Sequence, residues 1–68
     1  MKTLGESLPE ECARVRTLKA TYEELPGGAG KPAAWMMEQS LKRADQAMVS
    51  GDVVAMLRAY EDLKEYTL

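Results

Sequence analysis

Histidine is absent from this chain of 68 residues, and cysteine occurs once, at Cys12. The usual general base and the commonest nitrogen ligand for zinc are therefore missing, and one cysteine cannot close an intrachain disulfide. Acid–base and thiol catalysis have few means left. The chain reads as a non-enzyme with no catalytic set, no cofactor and no metal. No apolar run approaches the roughly 20 residues that span a bilayer, and the N-terminal residues lack the apolar stretch of a signal peptide. Positive charge is also short: nine Lys and Arg against eleven Asp and Glu leave a formal charge of −2, and the pI is about 5.0. That balance disfavours a phosphate backbone as partner. A lone thiol without a targeting signal points to a reducing, cytoplasmic setting.

What is present is helical periodicity. Ala34, Met37, Leu41, Ala44 and Met48 recur at alternating spacings of three and four, one stripe of a helix. Val53, Met56, Tyr60 and Leu63 repeat the pattern, with Leu57 widening it. Between the two runs, Gly51 suits the left-handed position just past a helix end, and Asp52 suits the N-cap of the next helix. So short a break predicts an antiparallel helical hairpin.

Upstream, Ser7-Leu8-Pro9-Glu10 reads as a helix start with Ser7 as cap and Glu10 three residues on, leaving Met1 to Glu6 frayed. Leu8, Val15, Leu18, Tyr22 and Leu25 share one face, with Cys12 at its edge. The expectation is an all-α, three-helix domain in which helix 1 packs on the hairpin, with helices over residues 8–25, 32–49 and 53–66 and a glycine-rich connector at 26–31. Helix-surface ion pairs are expected between Glu10 and Arg14, Glu38 and Lys42, and Arg58 and Asp62. A domain this small buries only about 60% of the surface its unfolded chain exposes. With disulfide and metal excluded, a homo-oligomer, a dimer in the first instance, is the expected remedy.

The connector Gly27-Gly28-Ala29-Gly30-Lys31 has the tail of a phosphate-binding loop but Leu25 where that motif needs glycine, Pro32 where it needs Ser or Thr, and a helix where it needs a strand. It is a linker. The acidic neighbours Glu10/Glu11, Glu23/Glu24 and Glu61/Asp62 diverge by about 100° on a helix, so they read as solvated faces. A helix-turn-helix reader would carry Glu61, Asp62 and Glu65 into the phosphates, which leaves only Arg14, Arg16 and Lys19 on helix 1 as a basic edge for nucleic acid.

Apolar residues off the stripes are more informative. Trp35 points nearly away from the helix 2 seam, Met36 sits on its flank, and Tyr66 falls off the helix 3 seam. The hairpin brings these three towards one end, beside the glycine loop, while Val49 and Val54 form a smaller pair at the turn. Trp35 either lies beneath helix 1 as part of the core or anchors a second chain, as aromatic residues and methionine do at interface centres.

Ala44, Ala47, Met48, Gly51 and Asp52, followed by Arg58-Ala59-Tyr60, resemble the helix–turn–helix of a single tetratricopeptide repeat, with Ala55 one place early. One such unit cannot bury its own faces, so no array is implied. Most of the chain is similar to small phage- and prophage-encoded proteins of Gram-negative bacteria. That similarity is carried by Ser7 to Arg16, by Leu25-Pro26-Gly27-Gly28-Ala29-Gly30, and by Arg43 to Met48 through Gly51 to Tyr60. It implies a protein that works in the bacterial host cytoplasm by binding and inhibiting a host protein, such as a defence complex or a transcriptional regulator. The combined expectation is a protein-binding domain using Trp35, Met36 and Tyr66 with Arg43, Val49 and Val54. Two rivals stand beside it: a nucleic-acid regulator using the basic edge, and a purely structural dimer.

Overall fold

The structure, a computed structural model, describes residues 2–67. Three helices follow one another: α1 (Leu4–Glu23), α2 (Lys31–Ser50) and α3 (Val53–Lys64), with a single 3-10 turn, Pro26–Gly28, between the first two. Interhelix contacts give the directions. Arg16 meets Asp45 and Lys19 meets Glu38, so α1 and α2 run antiparallel. Asp62 meets Arg43 and Tyr66 meets Ser40, so α3 reverses again. The result is an up-down-up bundle measuring 39 × 22 × 15 Å. The all-α, three-helix expectation holds.

α1 begins four residues earlier than the Ser7 reading placed it, because Thr3 is the cap. Its Oγ1 accepts from the Glu6 N–H at 3.3 Å and donates to the Glu6 carboxylate at 3.1 Å. Ser7 lies inside the helix, and its N–H reaches the Thr3 carbonyl at 2.9 Å. Pro9 consequently sits in the second turn rather than the first. At the other end α1 stops at Glu23, since Leu25 precedes a proline and is held extended. Leu25 therefore leaves the stripe expected for it and is exposed.

The α2–α3 turn forms as expected. Gly51 takes φ +70° at the end of α2, and the Asp52 carboxylate accepts from the Ala55 N–H at 3.2 Å. α3 ends at Lys64, two residues short of expectation, where Arg14 reaches across from α1. It donates to the Leu63 and Tyr66 carbonyls, each at 2.8 Å, so that carbonyls at the end of the helix have a partner.

The core joins Leu8, Cys12, Val15 and Leu18 of α1 to Met37, Leu41 and Ala44 of α2 and Ala59 and Leu63 of α3. Cys12, expected at the edge, is fully buried. The α3 seam is rotated from the expected one. Met56, Ala59, Tyr60 and Leu63 face inward, while Val53 and Leu57 remain 67% and 48% exposed. Val53 opens the helix at the end of the bundle, and packing through the small Ala59 brings α3 close to its neighbours on that side. The local ion pairs are replaced by longer-range ones: Glu10 binds Lys2, Glu38 binds Lys19 and Asp62 binds Arg43, while Arg14 turns to Glu11 one turn away.

Candidate protein-interaction surfaces

Among the described residues, seven large apolar side chains are exposed, and they divide between the two ends of the bundle. Trp35 and Met36, 66% and 55% exposed, stand in the first turns of α2, and Leu25 belongs to the adjacent connector. The indole borders an open slot of about 510 Å³ between α1 and α2, lined by Lys19, Glu23, Lys31, Ala34 and Glu38. Lys19 spans it, 3.3 Å from Glu23 and 3.2 Å from Glu38. Hydrogen bonds from Lys19 to Glu38 and Glu23 hold that ammonium above its usual pKa. The slot is thus an apolar wall with an ionic floor. Helix 1 does not close over Trp35, so the core alternative for the indole fails.

Tyr66 is not part of that surface. It packs against the core, and its hydroxyl shares a 2.9 Å hydrogen bond with Ser40, a side chain wholly buried within α2. Arg43 donates to the same Ser40 oxygen at 3.0 Å and to Asp62 at 3.2 Å. These residues lock the end of α3 onto α2. Arg43 also borders an open groove of about 710 Å³ between the two helices, floored by Ala47, Ala55 and Ala59. The sequence reading missed Ser40, although its position three residues after Met37 and four before Ala44 placed it on the buried face.

At the opposite end Val49 is 90% exposed and Val54 is exposed too, as expected for residues off the seam. Val53 and Leu57 join them, having left the seam to which their spacing had assigned them. The basic edge of helix 1 is spoken for within the fold. Arg14 holds Glu11 and two carbonyls, Arg16 holds Asp45 at 3.4 Å, and Lys19 holds its two glutamates. A phosphate would have to displace these partners.

No family model, curated protein or solved structure matches the chain. What it can do must then be argued from its surfaces. The described residues contain no group of three or more His, Cys, Asp or Glu able to hold a metal ion, and no helix long and apolar enough to cross a membrane. Cys12 is the lone thiol, and burial pushes its pKa up, away from the nucleophilic thiolate.

Proposed function

We propose that this protein is a small protein-binding module that acts by occupying the working surface of another protein. Following its resemblance to phage-encoded proteins, that partner is a host protein in the bacterial cytoplasm, and the outcome is inhibition or modulation. The observation that carries this reading is Trp35. A tryptophan two-thirds exposed on a regular helix is costly in water, whereas rigid aromatic anchors next to methionine dominate the energetics of protein interfaces. The ionic floor beside it supplies charges that can fix the orientation of a partner without adding much affinity. Engagement of Arg14, Arg16 and Lys19 inside the fold weighs against the nucleic-acid alternative.

Immobilised protein and its Trp35→Ala variant, exposed to host lysate, test the proposal. One protein should be retained in stoichiometric amount by the parent chain. The variant should lose it by at least about 30-fold in affinity, the equivalent of a 2 kcal/mol hot spot, with its helical circular dichroism unchanged. Trp35 is the single tryptophan, so its emission should shift to the blue in the purified complex. Equal retention by the variant removes the proposal, and salt-sensitive retention of DNA by the parent chain replaces it with the nucleic-acid reading.

A further inference from the structure

The other end of the bundle presents a separate anomaly. α3 turns three large aliphatic side chains outward, Val53, Val54 and Leu57, in addition to the Met56, Ala59, Tyr60 and Leu63 that it packs on the core. With the inner face of α3 already supplied by those four, Val53, Val54 and Leu57 form a second apolar surface at the start of the helix, of the kind a partner covers. The chain is also more extended than a closed globule of its size. Its radius of gyration is 12.4 Å where about 10.9 Å is expected for this length. Its surface is 4651 Å² where about 4,250 Å² is expected for this mass.

We infer that a second copy of this chain covers the outward face of α3, through an antiparallel α3–α3 contact whose two-fold axis lies at the level of residue 55. The residue pattern is self-complementary about that point, as a two-fold interface requires. With a rise of about 1.5 Å per residue, Leu57 of one copy falls level with Val53 of the other and within a residue of Val54. The contact is made twice and gathers six aliphatic side chains at the centre. Arg58 falls level with Asp52 of the second copy, and this pair also occurs twice. Both residues line the same side of α3 on the α2–α3 groove, the side that a two-fold axis keeps in common. Arg58 has no acidic partner among the described residues of its own chain. The Asp52 carboxylate has spent one oxygen on the Ala55 N–H and has the other to give. Trp35 lies about 21 Å along α2 from Val49, so the dimer carries two copies of the Trp35 surface, both outside the contact. This inference does not depend on the proposed partner-binding role of Trp35.

Sedimentation equilibrium over a wide concentration range is the test, with circular dichroism to confirm helicity in each variant. The parent chain should reach twice its 7.5 kDa mass. Leu57→Glu and Val54→Glu, both at exposed positions, should raise the dimer dissociation constant by at least 30-fold, and Trp35→Ala should leave it unchanged. Asp52→Asn, which keeps a capping side chain, and Arg58→Gln should each weaken the dimer, and the double variant should lose less than the product of the two effects. A chain that stays monomeric at all concentrations overturns the inference. So does a dimer that survives both glutamate substitutions, or one that Trp35→Ala dissolves.

Discussion

Cys12 shows how a single side chain can be chemically silent because of where it lies. It sits between Leu8 and Val15 on the buried face of α1, and burial raises its pKa above the ordinary 9.0. Two consequences follow with a definite sign. A thiol reagent should modify the folded chain far more slowly than the unfolded one, at a rate set by opening of the fold, which stopped-flow absorbance with and without denaturant measures directly. Stability should also fall as pH rises beyond about 9. There the unfolded chain releases the thiol proton while the folded chain still holds it, so ionisation favours unfolding. Lys19 acts in the same direction at higher pH. Its folded pKa is raised, so the stability it lends is fully present below its ordinary 10.5 and is lost as pH climbs through the folded value. Cys12→Ala should flatten the first part of the alkaline decline in chemical-denaturation midpoints. An unchanged alkaline profile in that variant would remove Cys12 from the account.

Among the elements, the α1–α2 connector is held to one conformation by contact rather than by its flexible composition. Gly30 is buried where the chain turns back on α1, and a Cβ there would stand 2.0 Å from the Tyr22 carbonyl oxygen. Since that neighbour is backbone, it cannot yield as a side chain would. Gly30→Ala should cost about 2 kcal/mol or more, seen as a lower melting temperature, whereas Gly5→Ala, whose nearest contact is an ordinary 3.8 Å, should be neutral or mildly stabilising. A melting temperature for Gly30→Ala equal to that of the parent would show that the connector is free to move.

The same elements show what was legible from residues alone. Gly51-Asp52 announced the hairpin turn because a left-handed glycine and a capping aspartate act locally. The start of α1 was misplaced because Thr3-x-x-Glu6 and Ser7-x-x-Glu10 satisfy the same local rule. Ion pairs went astray for a related reason: a partner one turn away and a partner on the next helix differ by only a few tenths of a kcal/mol. The neighbouring helix decides between them. Trp35, Met36, Val49 and Val54 were correctly placed outside the seam, but Tyr66 was not, because its position depends on a hydroxyl partner, Ser40, on another helix.

On the scale of the whole molecule, the question is whether so small a core can stand by itself. Among the described residues, nine form the buried cluster, and two of them are alanines. The polar clamp at the end of α3, made by Arg14, Arg43, Ser40 and Tyr66, specifies how the helices meet. It adds little net stability, since each hydrogen bond replaces one to water. With a second copy on the outward face of α3, folding and association are linked, and stability depends on protein concentration. Protomers held mostly as dimers then gain on the order of 1–2 kcal/mol each. For a domain of this size 1 kcal/mol moves the melting temperature by about 4–8 °C. Differential scanning fluorimetry and calorimetry from low micromolar to millimolar protein should therefore find a melting temperature rising by roughly 5–15 °C. Leu57→Glu should give one low value at every concentration, and Trp35→Ala should keep the rise. A parent chain whose melting temperature is flat across that range would place all of its stability within one protomer, and the exposed aliphatic face of α3 would then have no thermodynamic part in the fold.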